Sequence, residues 1–180
     1  MDGAAGERTK GYYSYQKNGW TIYALNTNCG SLVGCTPDSE QGKWLEAQLA
    51  QDPNKCQIAY SHQPLFSSGL HGMIPSTKPL WQIMYNHQAE LFLSGHDHLY
   101  ERFAPQDPNG KADPEKGMRQ FVVGTGGKSL YKVGNILPTS EVRIDDTFGV
   151  LQLDLKKNQY DWKFIDINSQ VRDSGSGNCF

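Results

Sequence analysis

The tightest constraint in this sequence is the spacing of two short apolar runs, residues 57–61 and 91–95, with one helical pattern between them. Each run is strand length, and proline closes the first at Pro64. Between them "KPLWQIMYNHQAE" puts Leu80, Trp81, Met84 and Tyr85 at helical core spacing. A strand, a helix and a second strand in this order predict parallel strands joined by a helical crossover, because parallel neighbours cannot be joined by a tight turn.

The flanking sequence extends that pattern. Residues 12–16 and 20–26 read as two strands joined by the turn Lys17-Asn18-Gly19. The polar loop "TNCGSLVGCTPDSE" follows, and then the helix "SEQGKWLEAQLAQ". Asp38 or Ser39 is its cap, Gln41 takes the capping-box position, and Trp44, Leu45 and Leu49 share a face. Asp52-Pro53-Asn54 stops it. In the last third, "FAPQDPNGKADPEKG" reads as an extended polar loop and "RQFVVGTGG" as a strand running into a glycine turn. "TFGVLQLDL" and "YDWKFIDI" alternate around "KKNQ" and predict a hairpin. The tail "SGSGNCF" reads as a flexible end that Cys179 could anchor. Residues 1–180 are therefore one mixed α/β unit without repeats or linkers.

Composition excludes several classes. A formal net charge of -2 points to no nucleic-acid or membrane surface. No window approaches the roughly 18 apolar residues of a membrane span. The opening "MDGAAGERTKGYYSY" has no apolar core of the signal-peptide kind and reads as a solvated segment leading into a strand. The four cysteines, Cys29, Cys35, Cys56 and Cys179, allow three pairings and suit an exported, oxidised protein; their spacing is not that of a zinc knuckle.

The chemistry lies at strand ends, where open α/β sheets bind ligands. Only five histidines are present, and His62, His96 and His98 follow apolar strands directly, in "SHQP" and "SGHDH". A histidine there has a rigid base and an open tip, as a metal ligand requires. On an extended backbone His96 and His98 would point the same way, toward one metal or one each of two, with Gly95 allowing a sharp turn before them. Asp97 then points elsewhere, as an acceptor supporting the ligands. A lone H-x-H pair, or His62 alone, would be an ordinary hydrogen-bonded histidine; successive strand ends make the set a metal site. His71 reads equally as a substrate contact or a loop residue, and His87 as ordinary helix surface. "GTGGKS" lacks the spacing of a phosphate-binding loop and reads as a turn bordering the site.

"AYSHQPLFSSG" followed by "LFLSGHDHLYER" resembles the last two metal-binding motifs of the calcineurin-like metallophosphoesterases, in the form used by the purple-acid-phosphatase-like and secreted bacterial branches. "YYSYQKNGWTIYALNTN" and "SEQGKWLEAQLA" resemble the same branch. The resemblance implies part of a four-layer α/β/β/α sandwich of mixed sheets with flanking helices. It implies two metals about 3.5–4 Å apart, drawn from iron, zinc or manganese, and hydrolysis of a small phosphomonoester or phosphodiester. His62 and His96 would then be ligands of one metal and His98 of the other. His71 would face the substrate, and Asp97, Tyr100, Glu101 and Arg102 would support the motif.

The family's earlier motifs, D-x-H, G-D-x-x-D and G-N-H-[DE], do not occur, so no catalytic acid is identified. By resemblance, residues 1–180 are the carboxy-terminal half of a catalytic domain. Three neutral imidazoles without a bridging carboxylate imply weak or partial metal binding and no turnover by the chain alone. A half-sandwich also implies exposed edges, and so self-association or a complementary amino-terminal half as partner. Cys29 and Cys35 share one rim and Cys56 lies at the other, which pairs Cys29 with Cys35 and Cys56 with Cys179. The competing readings are a non-catalytic, truncated metal-binding fragment and a zinc-binding adaptor. A secreted or periplasmic setting follows from cysteine usage and the resemblance.

Overall fold

A computed structural model describes residues 6–30, 34–54 and 56–180. The first five residues of the solvated leader and residues 31–33 of the polar loop lie outside the described residues.

A seven-stranded mixed sheet organises the chain. Its order is β1 (Tyr13–Lys17), β2 (Trp20–Ala24), β3 (Cys56–Tyr60), β4 (Leu91–Ser94), β6 (Arg119–Val123), β5 (Tyr100–Phe103) and β7 (Ser140–Ile144). β2, β3, β4 and β6 run parallel, as the alternation of strand and helix demands. β1 and β5 pair antiparallel with their neighbours. A second, three-stranded sheet is ordered β10 (Val171–Asn178), β9 (Gln159–Asp166) and β8 (Gly149–Lys156), and β8–β9 is the predicted hairpin.

Adjacent residues of the central strands separate into two cores. Tyr23, Ala59, Phe92 and Val122 pack on one face against helices α1 (Glu40–Gln51) and α2 (Lys78–Asn86), through Leu45, Leu49, Leu80, Trp81 and Met84. Ile22, Ile58, Leu91 and Phe121 pack on the other face against Tyr160, Trp162 and Phe164 of β9. The layers are therefore helices, sheet and second sheet. Among the described residues no helix is long and apolar enough to cross a membrane.

Ser39 caps α1, its Oγ accepting from Gly42 N at 3.1 Å. Gln41 does not close a capping box. Its amide grips the loop after β2 instead, accepting from Asn26 N at 2.7 Å and donating to Asn26 O at 2.9 Å. The helix is thus tied to the sheet rim where the strands deliver their polar ends.

Three strands depart from the sequence reading. β5 and β7 are short and carry charged residues; Arg102 of β5 pairs with Glu141 of β7 within the sheet and with Asp173 of β10 in the second sheet. The glycine- and serine-rich tail is also a strand, β10. It orders because a Cβ at Gly175 or Gly177 would lie 2.3 Å from the Trp162 ring or 2.4 Å from the Tyr160 ring, so β9 aromatics occupy the space over the glycines.

The tail is pinned at its end. The disulfides are Cys29–Cys35 and Cys56–Cys179. Buried Glu90 accepts Gln57 N at 2.6 Å and Phe180 N at 3.2 Å, one residue beyond each cysteine of the second bridge. Burial pushes the Glu90 carboxyl up to about 7. The folded state therefore favours the protonated acid. The stability this contributes is complete below the ordinary carboxyl pKa and is lost as pH rises through about 7. Thermal unfolding should show stability falling from about pH 5 to about pH 8 by up to roughly 3 kcal/mol, and Glu90→Gln should flatten that slope.

Candidate metal and phosphoester site

β3 and β4 are parallel neighbours and end together, so the residues beyond them arrive side by side. Their pairing continues past the strands: Ser61 N donates to Leu93 O at 2.9 Å and Gly95 N to His62 O at 3.0 Å. His62 and His96 thereby meet, with His96 Nδ1 3.1 Å from His62 Nε2 and the rings edge-on. Two ligand nitrogens each about 2.0–2.1 Å from one metal, at a tetrahedral angle, stand about 3.3 Å apart. The two nitrogens form a hydrogen bond between the rings, at a separation that is also close to that of two ligands on one metal. Burial, followed by the neighbouring His71 and His62 imidazoles, holds His96 below the ordinary histidine range, which favours the neutral, ligating form.

The segment carrying His96 and His98 is not extended. The backbone turns at His96, with φ 68°, and Asp97 N donates to Gly95 O at 2.8 Å. The left-handed residue is therefore His96 rather than Gly95, and the two rings part. His98 Nδ1 lies 2.8 Å from Ser129 O, so it carries the proton and Nε2 is left for a ligand. Its ring stacks on Tyr131 at 4.0 Å. The turn beginning "GTGG" borders the site, and its continuation supplies Ser129 O as the partner of His98.

His71 packs against the His96 ring at 4.4 Å. Asp97 is fully buried and points away from the two histidines that flank it, toward the 67–71 loop. His87 is remote from this cluster, bonded through Nε2 to Glu46 of α1 at 2.8 Å. Among the described residues, no group of three or more His, Cys, Asp and Glu is arranged to hold a metal ion.

Tyr100, Glu101 and Arg102 lie on β5, and their side chains leave it on opposite faces. Tyr100 OH and Arg102 Nε donate to Asp173 of β10 at 2.6 and 2.7 Å, and Trp162 Nε1 joins them at 3.1 Å. The Arg102 pair with Asp173 holds that carboxyl below the usual range against its own burial. Glu101 turns the other way. It accepts Ser68 N at 2.8 Å and Ser140 Oγ at 2.5 Å, fixing the loop that carries His71.

Comparison with known proteins finds purple acid phosphatases. Purple acid phosphatase 22 of Arabidopsis thaliana is 29% identical over 178 residues, covering 90% of this chain and 39% of the relative. Purple acid phosphatase 21 of the same plant is 30% identical over 164 residues, covering 84% and 36%. Purple acid phosphatase PPD1 from yellow lupin (Lupinus luteus) seeds superposes with a TM-score of 0.84 at 24% identity, over 97% of this chain and 34% of that one. The chain is related to the calcineurin-like metallophosphoesterases. No family model matches it. The structure of GAP50, described as the anchor in the inner membrane complex of Plasmodium, shares the fold with a TM-score of 0.72 at 17% identity, over 95% of this chain and 55% of that one. The chain thus spans well under half the length of the curated relatives it matches.

Within this metallophosphoesterase relative, sequence reasoning passed over Ser67, Ser129 and Tyr131. Tyr131 could have been marked as an aromatic residue just past the glycine turn that borders the site. Ser67 and the Ser129 carbonyl carry no sequence signal, because their role depends on which strands end together. Glu101→Ala leaves the buried Ser68 N–H without its acceptor. It should cost about 2 kcal/mol of stability by chemical denaturation.

Proposed function

We propose that residues 1–180 form the histidine-bearing, carboxy-terminal part of a dimetal phosphoesterase that hydrolyses small phosphomonoesters or phosphodiesters. The observation that carries this reading is the His62–His96 nitrogen pair, 3.1 Å apart at the ends of adjacent parallel strands, in a relative of purple acid phosphatases. His62 and His96 would hold one metal and His98, through Nε2, the other. Iron, zinc and manganese all suit imidazole. Bound metals would supply Lewis acidity toward the phosphoryl group. The chain's own residues hold the ligands: Ser129 O fixes the His98 tautomer, the β3–β4 pairing fixes His62 against His96, and Glu101 fixes the loop bearing His71.

The remaining ligands would come from an amino-terminal half. An apolar groove of about 440 Å³, lined by Tyr60, Leu93, Val123, Leu151 and Leu153, opens beside the β8 edge and reaches Ser61 and Gly95 at the site. Such an opening supports a complementary half or self-association. Two disulfides support a secreted or periplasmic setting. The second reading is a non-catalytic metal-binding fragment whose ligands are the imidazoles of His62, His96 and His98.

Supplying the complementary amino-terminal half separates these readings. An enzyme should then hydrolyse an aryl phosphate, and His98→Ala should lower the rate by on the order of 100-fold or more. Failure of every such complementation would favour the fragment reading. A His98→Ala variant with near wild-type turnover would remove His98 from the metal site.

A further inference from the structure

Asp97 stands between two candidate ligands in sequence, yet its buried carboxylate serves a different segment. Oδ1 accepts the His71 backbone N–H at 3.0 Å and lies 2.8 Å from Nδ1 of the same residue's ring. Oδ2 accepts the Ser67 hydroxyl, which itself accepts Gly69 N at 2.9 Å. One carboxylate thus gathers donors from the 67–71 loop. The fit leaves no spare room: a Cβ at Gly69 would lie 2.6 Å from Asp97 Cγ. Glycine at 69 is what lets the loop close over the acid.

An ionised carboxylate accepts and does not donate. The His71 nitrogen facing it must therefore carry hydrogen, and Nε2 is the nitrogen left open. The ring lies beside His96 at 4.4 Å and Tyr131 at 5.4 Å, with its side chain 40% exposed.

We infer that Asp97 is a positioning residue for His71: it anchors the 67–71 loop and holds the imidazole as the Nδ1–H tautomer, so that Nε2 is turned to the open side beside His96 as a hydrogen-bond acceptor, for a hydroxyl or water at a phosphoester. The substrate part of this inference rests on the phosphoesterase reading; the tautomer and its cause do not.

Long-range proton–nitrogen NMR of the metal-free, histidine-labelled 180-residue chain tests it, at about pH 8.5, where histidine is largely neutral. The spectrum carries its own references. His98, facing a carbonyl through Nδ1, should show the Nδ1–H pattern, and His87, facing Glu46 through Nε2, the opposite one. His71, assigned with His71→Gln, should show the Nδ1–H pattern. Asp97→Ala and Gly69→Ala should both replace it with the averaged pattern of a free imidazole while His87 is unchanged. An Nε2–H or averaged pattern for His71 in the unsubstituted chain overturns the inference, whether or not the variants fold. So does an unaltered pattern in folded Asp97→Ala. An intact Nδ1–H pattern in a chain that hydrolyses nothing, even when complemented, would instead count against the phosphoesterase reading alone.

Discussion

The parallel pairing of β3 with β4 is the interaction on which the candidate site depends. Each strand is only four or five residues long, and both are largely buried. Because they run side by side in one direction, whatever follows them is delivered to one place. Two further backbone hydrogen bonds, Ser61 to Leu93 and Gly95 to His62, carry the register past the strand ends and set the two imidazoles together. A slip of one residue would turn over the faces of the strand that slipped, driving Ala59 or Phe92 out of the helix-side core. Packing on both faces therefore enforces the geometry of the histidine pair.

The second sheet holds the far side of that register. One of its bonds to the first runs through Asp173, which takes Tyr100, Arg102 and Trp162 as donors, while Arg102 and Arg119 lie over the Trp162 ring at 5.1 and 5.0 Å. A charge on β10 is satisfied by β5, and the aromatic between them is flanked by cations. Glu101, the residue between Tyr100 and Arg102, faces the helix side and binds the His71 loop. Alternation along one short strand thus couples sheet packing to site geometry.

Much of this was legible in the sequence, for identifiable reasons. Runs such as "LFLSG" and "CQIAY" bury on both faces, so apolar continuity and length reveal them, and the intervening helix dictates parallel pairing. The β8–β9 hairpin is readable from strict alternation. β10 was not readable, since serine and glycine there signal flexibility until Trp162 and Tyr160 are laid across them. Within the site, the strand-end position of His62, His96 and His98 could be read, but their directions could not. The left-handed turn at His96 sends the two rings of H-x-H to different partners, and the partner of His98 is a backbone carbonyl that no side-chain pattern announces. Asp97 could be seen to point away from its neighbours; its grip on Ser67 and His71 required the loop to be in place.

The most direct test of this account is a calorimetric zinc titration of the isolated chain, comparing the unsubstituted protein with His62→Ala, His96→Ala and His87→Ala. If His62 and His96 share one metal, a single weak site should be seen, lost on replacing either histidine and unaffected by replacing His87. Zinc binding that survives in His62→Ala or His96→Ala would contradict the shared site.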